Sequence, residues 1–133
     1  MLSETLHLSE PLRRLIIDHC VLALPNEGCG LIASAQEGQV VAVYPTANLD
    51  PSPTGYTIPP NEHFAALTDA ESNGWELSGV FHSHPQGSAK PSAVDVVAAL
   101  DLKWVYLVVG LRDAPEIRAW RIRQKEIEEL SLI

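Results

Sequence analysis

A run of alternating residues, WELSGVFHSH at 75–84, most constrains how this chain can fold. Successive side chains of a β-strand point to opposite faces of the sheet, so residues two apart share a face. One set contains Trp75, Leu77, Gly79 and Phe81, and the other contains Glu76, Ser78, Val80, His82 and His84. The run therefore predicts a strand that ends with His82 and His84 on one face and Ser83 on the other.

Helical and strand-like patterns are interleaved along the rest of the chain. Apolar spacing, with Ser9 and Ser92 as N-caps, predicts helices over about 9–24, 59–74 and 93–102. Apolar or alternating runs predict strands at 29–34, 39–45, 75–84, 104–111 and 116–123, with weaker indications at 56–58 and 126–133. Because hairpins occur among the helices, this order indicates an α/β fold with a mixed sheet covered by helices.

Length and composition favour one domain over residues 1–133. The 133 residues are 46% hydrophobic and 20% charged, which is enough to bury a core. The formal net charge of −8 repels phosphate groups, so neither nucleic acid nor an anionic membrane is an expected partner. No secretory signal or long apolar run is seen, and the two cysteines, Cys20 and Cys29, do not form a Cys-x-x-Cys pair. We therefore expect a cytoplasmic protein.

The histidine pair and a nearby carboxylate form a candidate metal site. Imidazoles at i and i+2 of a strand can converge on one ion, and two nitrogens with one carboxylate oxygen suit zinc. Asp95 is the third helical residue if Ser92 caps the helix, so its carboxylate can turn toward the strand end. The same residues have a plain structural explanation, namely polar histidines at a strand end and an acid that complements the helix dipole. Spacing alone leaves both explanations open.

The pattern around these residues resembles a known motif. His82-Ser83-His84-Pro85, followed after six residues by Ser92-Ala93-Val94-Asp95, is similar to the core motif H-S-H-P-x(6)-S-x-x-D of the JAMM (MPN+) metalloprotease family. The segment PNEGCGLI also resembles the upstream segment that carries the family's glutamate. The resemblance implies a curved mixed sheet with flanking helices and one Zn²⁺ per chain. The site residues that it implies are His82, His84 and Asp95 as zinc ligands, Glu27 as general acid/base, and Ser92 as a donor to the tetrahedral intermediate.

The resemblance also implies a reaction. It predicts a zinc metalloprotease that hydrolyses amide or isopeptide bonds at the C-terminal tail of a ubiquitin-like or sulfur-carrier protein, either removing a conjugate or releasing a cysteine or lysine adduct. A non-catalytic scaffold and a structural-zinc binding module remain as alternatives. Cys29, two residues after Glu27, would close the metal site if it were a fourth ligand. The oligomeric state, and whether the loop at 48–55 is a lid, are left open.

Overall fold

The computed structural model describes residues 4–99 and 101–133. In chain order these residues form β1 (Thr5–Leu6), α1 (Glu10–Ala23), β2 (Cys29–Gln36), β3 (Gln39–Thr46), α2 (Pro60–Ser72), β4 (Glu76–His84), α3 (Ala93–Ala98), β5 (Val105–Gly110), β6 (Glu116–Arg123) and β7 (Glu126–Leu132). The predicted α/β class is confirmed.

All the described strands belong to one mixed sheet, in the order β1-β7-β6-β5-β4-β2-β3. The β1–β7 and β4–β5 pairs are parallel, and the remaining pairs are antiparallel. The sheet curls until its two edges meet near the end of β1, where His7 bridges to Gln39. The His7 N–H donates to the Gly38 carbonyl (2.8 Å), and the Val40 N–H donates to the His7 carbonyl (3.2 Å).

Each face of the sheet has its own apolar core. One core contains Phe81 of β4 and packs against Ile16 and Cys20 of α1. The other contains Val80 and packs against Ala66 and Ala70 of α2. Val80 and Phe81 therefore face different cores, as the alternation predicts. The prediction is wrong for Leu77, which lies in the core of Val80, because a register shift against β2 leaves an extra residue in β4 between Leu77 and Gly79. No helix in the described ranges is long and apolar enough to cross a membrane.

The central strand and the hairpins match the predictions closely, and the weakly indicated strand at 126–133 is confirmed as β7. The parallel β4–β5 pair matters most for the site. A parallel pair needs a long crossover, and here the crossover spans residues 85–104 and contains α3. This connection returns Asp95 to the end of β4 at which His84 lies.

Three details differ from the predictions. No strand forms at 56–58, because the Thr57 backbone bonds to Asn48 and Leu49 within a loop. The helix predicted over 93–102 ends at Ala98, and Leu100 in that range lies outside the described residues. The two-residue β1 was not predicted, because a pairing so short leaves no alternation to recognise.

Candidate metal centre

Three potential metal ligands converge where β4 ends. The Nε2 atoms of His82 and His84 each lie 3.0 Å from Oδ2 of Asp95, and they lie 3.2 Å from each other. The histidines project from one face of β4, and Asp95 belongs to the first turn of α3. The structure therefore brings together all three residues that the sequence singled out as candidate ligands.

The spacing of these atoms fits a tetrahedral zinc ion. Ligand atoms about 2.0–2.1 Å from zinc at tetrahedral angles are roughly 3.3 Å apart. The observed triangle, with sides of 3.0–3.2 Å, needs only a small expansion to reach that spacing. Within residues 4–99 and 101–133, this is the one group of three or more His, Cys, Asp or Glu residues able to hold an ion. Two imidazoles and a carboxylate are also a donor set that zinc accepts.

Neighbouring groups orient two of the three side chains. Nδ1 of His84 lies 2.9 Å from the Ser88 carbonyl, which can only accept, so Nδ1 carries the proton and Nε2 is left to bind an ion. Asp95 is held by a capping box, in which the Ser92 N–H donates to Asp95 Oδ2 (2.8 Å) and the Asp95 N–H donates to Ser92 Oγ (3.1 Å). The capping arrangement is thus present, and it aims the carboxylate at the histidines.

The cluster strongly favours an ionised carboxylate. Burial acts to raise the pKa of the Asp95 carboxyl, but contacts with His82 and His84 outweigh burial and hold that pKa well below its usual range. Contact with Asp95 in turn raises the pKa of His84, against the opposing effect of burial. Asp95 is therefore available as an anionic ligand at neutral pH.

The Glu27 carboxyl lies close enough to His84 and Asp95 to interact with their charges. Glu27 does not belong to the group of three converging ligand candidates. Its side chain is buried, and Oε1 has no hydrogen-bond partner among the described residues. Burial raises the pKa of the Glu27 carboxyl to about 7, with the charge of His84 acting to lower it and that of Asp95 to raise it. A carboxyl with this pKa can both accept and donate a proton near neutral pH, which is what a general acid/base requires.

The backbone around Glu27 is fixed from several directions. The Glu27 N–H donates to the Ser52 carbonyl (2.8 Å), and Asn48 Nδ2 donates to the Glu27 carbonyl (3.1 Å). Ser83, buried between the two histidines on the opposite face of β4, accepts from the Gly28 N–H through Oγ (2.8 Å). The Ser83 N–H donates to the Gly28 carbonyl (3.0 Å). These bonds hold the segment before β2 at a set distance from the end of β4.

Ser92 is exposed beside the cluster. Its hydroxyl oxygen accepts the capping bond from Asp95, but accepting uses only a lone pair. The hydroxyl proton remains available, so the same group can cap α3 and donate to a substrate oxygen.

Cys29 faces the same side of the sheet as its cross-strand partner His82, yet it does not join the cluster. Its thiol lies 3.5 Å from Thr46 Oγ1 and donates to the Ala47 carbonyl (3.4 Å). Burial raises the pKa of the Cys29 thiol, which disfavours the thiolate that zinc would require. The described residues therefore do not form a four-ligand site that includes this cysteine.

Two residues of the site were not predicted from the sequence. Tyr56 stacks on His82, with ring centroids 4.7 Å apart and ring planes inclined by 19°. Asn48 anchors the loop that carries Tyr56. An Asn-x-Asp sequence at 48–50 in a proline-rich stretch is typical of an Asx turn and could have indicated Asn48. Tyr56 has no such signal, since its neighbour in space lies in a distant strand.

A family model described as prokaryotic homologs of the JAB domain matches residues 9–123 of the chain. A protein named desampylase from Haloferax volcanii is 32% identical over 138 aligned residues, which cover 99% of this chain and 98% of that protein. A probable TtuB-protein conjugate cleaving protease from Thermus thermophilus is 40% identical over 95 residues, covering 69% of this chain but only 61% of that protein.

A solved structure also matches the whole fold. The solution structure of a Desulfitobacterium hafniense protein superimposes with a TM-score of 0.89 at 35% identity, covering 97% of this chain and 92% of the other. The arrangement of strands and helices around the metal centre is therefore shared with an experimentally determined relative.

Proposed function

Because the chain belongs to the family of prokaryotic homologs of the JAB domain, we propose that it is a zinc-dependent protease that hydrolyses amide or isopeptide bonds. His82, His84 and Asp95 hold the ion in this proposal, and Glu27 and Ser92 carry out the chemistry beside it. The observation that carries the proposal is the convergence of the three ligand atoms within 3.0–3.2 Å of one another, next to a buried carboxyl of raised pKa.

Each residue then has a defined task. Zinc bound at this site would supply a Lewis acid and lower the pKa of a bound water to about 7. Glu27 accepts the proton of the attacking water on Oε1, which has no partner among the described residues, and delivers it to the leaving amine. Ser92 donates its hydroxyl proton to the oxygen that becomes negatively charged as the carbonyl is attacked.

The substrate in this proposal is the C-terminal tail of a ubiquitin-like or sulfur-carrier protein. The names of the Haloferax and Thermus relatives support it, since one is called a desampylase and the other a TtuB-protein conjugate cleaving protease.

Two alternatives are less well supported. A non-catalytic scaffold does not need a buried carboxyl of pKa about 7 beside three converging ligands. A structural zinc site needs a fourth protein ligand, and Cys29, the candidate for it, bonds instead to Thr46 and Ala47. The two free cysteines agree with a reducing compartment, so we also infer a cytoplasmic location.

The first test compares wild-type protein with Glu27→Gln. Zinc-loaded protein is incubated with a carrier that ends in Gly-Gly and is joined through an isopeptide bond to a lysine side chain. Glu27→Gln should bind zinc with unchanged stoichiometry and cleave roughly 10²–10⁴-fold more slowly, because only the proton transfer is lost.

Glu76→Gln is the matched control, since Glu76 is an exposed glutamate at the far end of β4. Equal rates in Glu27→Gln and wild type would disprove the role of Glu27. A wild type that binds zinc but never cleaves would favour the structural-zinc alternative, and one that binds no zinc would favour the scaffold.

A further inference from the structure

The loop between β3 and α2 is tied down along its length. The Leu49 N–H donates to the Thr57 carbonyl (2.8 Å), which closes the loop on itself. Within it, Ser52 and Gly55 form a bridge, and the Ser52 carbonyl accepts from the Glu27 N–H. These bonds fix residues 48–57, which we call the wall of the metal centre, in one conformation. The segment 48–55 is therefore a fixed connection and not a lid that opens and closes.

Asn48 is the anchor of this wall. Its Nδ2 donates to the carbonyls of Glu27 and Gly55 (3.1 Å each), and its Oδ1 accepts from the N–H groups of Asp50 (3.2 Å) and Thr57 (3.0 Å). A carboxamide has two N–H donors and two acceptor lone pairs, so all of its capacity is used. Two of the four bonds go to Gly55 and Thr57, the residues on either side of Tyr56.

Tyr56 is thereby held against a metal-ligand candidate. Its ring lies nearly parallel to the His82 imidazole, and both residues line a small cavity of about 30 Å³ that Asp95 also borders. Loss of the ring would join its volume to that cavity and leave one face of His82 without a neighbour. The imidazole would then be free to tilt away from the direction in which Nε2 meets Asp95.

The same anchor reaches the proposed acid/base, since one Nδ2 hydrogen of Asn48 bonds the Glu27 carbonyl. We propose that Asn48 and Tyr56 are a pair of positioning residues that fix the His82 ligand and the Glu27 acid/base relative to each other. This inference rests on the proposed function for the identity of the site. In this inference, Tyr56 strengthens zinc binding by orienting His82, and Asn48 favours proton transfer by positioning Glu27.

The test measures zinc affinity by competition with a chelator in the full chain. Tyr56→Ala should weaken zinc binding by about tenfold, the lower end of what losing a neighbour that orients a ligand costs. Tyr56→Phe keeps the stacked ring and should bind within about twofold of wild type. Tyr44→Ala is the matched control, because the Tyr44 hydroxyl bonds Asp69 on α2, away from the ligands.

A second readout needs no metal and no catalysis. In metal-free protein, Tyr56→Ala should move the NMR resonances of the His82 ring protons, because the ring current of the stacked tyrosine is lost. Tyr56→Phe and Tyr44→Ala should leave them in place. Asn48→Ala should reproduce the shift and, at saturating zinc, should also lower turnover about tenfold or more, since Glu27 loses its anchor.

These readouts separate the inference from the proposed function. Unchanged zinc affinity and unchanged His82 resonances in a folded Tyr56→Ala protein would overturn the inference, whatever the activity. A wild type that does not cleave would remove the proposed function, while the affinity and NMR results would still decide the role of Tyr56. If Asn48→Ala fails to fold, Asn48→Asp takes its place, since it keeps Oδ1 but loses the Nδ2 donor to the carbonyls of Glu27 and Gly55. Wild-type turnover at saturating zinc in a folded Asn48 variant would overturn the role of Asn48.

Discussion

At the scale of single residues, two neighbouring carboxyls of the candidate centre differ in protonation. The carboxyl of Asp95 is ionised, and that of Glu27 holds its proton up to about pH 7. Contacts with His82 and His84 keep Asp95 ionised, whereas Oε1 of Glu27 is buried without a partner among the described residues. Two carboxyls close in space thus have pKa values on opposite sides of their usual range. In the proposed function, this difference separates the carboxylate that binds the ion, Asp95, from the one that exchanges a proton, Glu27.

The raised pKa of Glu27 predicts how the stability of the metal-free protein depends on pH. The folded pKa of about 7 exceeds the ordinary value of 4.5, so the stabilising effect of its bound proton is fully present below pH 4.5 and is lost as pH rises through 7. Relative to Glu27→Gln, which cannot ionise, wild type should lose up to about 3 kcal/mol of unfolding free energy over that range.

Urea unfolding of both metal-free proteins at a series of pH values measures this difference. The two proteins share all their other titrating groups, so the effects of those groups on the free energy of unfolding cancel in the difference. A difference that stays constant from pH 4.5 to 8 would show that the Glu27 carboxyl keeps an ordinary pKa in the folded protein.

The sequence predicts correctly the placement of the residues that depend on local spacing. The shared face of His82 and His84 follows from strand alternation, and Asp95 follows from its place after the Ser92 cap. Glu27 could be selected only through the family resemblance, because pairing of β2 with β4 brings it to the site. Tyr56 was missed for the same reason, since His82 lies in a distant strand, whereas Asn48 bonds mainly to residues of its own loop and had a local Asx-turn signal.

At the scale of secondary-structure elements, the crossover between β4 and β5 supports the ligands. The Ala89 carbonyl accepts from Trp120 Nε1 (2.9 Å), and the Ser88 carbonyl faces His84 Nδ1. This segment packs directly on the end of β5, where a Cβ on Gly110 would lie 2.6 Å from the Ala89 nitrogen. Only glycine permits so close an approach of two backbones.

Gly110→Ala should therefore disturb both stability and the metal centre. The added carbon meets backbone atoms that cannot rotate away, so the free energy of unfolding should fall by about 1–3 kcal/mol. Displacing the Ser88 carbonyl should weaken zinc binding about tenfold, because His84 loses the group that orients it. Chemical unfolding and chelator competition measure the two effects.

Gly55→Ala is the control, because a Cβ there has no neighbouring atom within 4 Å. It should leave both quantities close to wild type. If Gly110→Ala bound zinc normally despite lowered stability, the crossover would support the fold but would not orient His84.

At the scale of the whole molecule, β1 joins the two edges of the curled sheet. It pairs with β7 on one side, and on the other the adjacent His7 bonds to Gly38, just before β3, and to Val40 within β3. Leu6 and Leu8 are buried in the core that α1 covers. The sequence predicts the mixed sheet but not this closure, because a two-residue parallel pair has no periodic pattern.

Leu8→Ala should show how much the contact between the two sheet edges contributes to the free energy of unfolding. Removing a fully buried leucine side chain costs about 2–5 kcal/mol of unfolding free energy, and here it also loosens the contact between the sheet edges. Leu22→Ala is the control, because the Leu22 side chain is 84% exposed on α1, and it should change stability by less than about 0.5 kcal/mol. Equal denaturation midpoints for the two variants would rule out a structural role for the closure.

The crossover after β4 keeps the three ligand candidates close together in the sequence. All three ligand candidates come from residues 82–95, whereas Glu27 lies far upstream and arrives only when β2 pairs with β4. Closing the longer loop costs roughly 1 kcal/mol more chain entropy than closing the short one. In the proposed function, binding of the ion thus depends on residues close together in the sequence, and proton transfer depends on the pairing of distant strands. We therefore expect that substitution of Glu27 removes hydrolysis and leaves a metal-binding protein of the same shape.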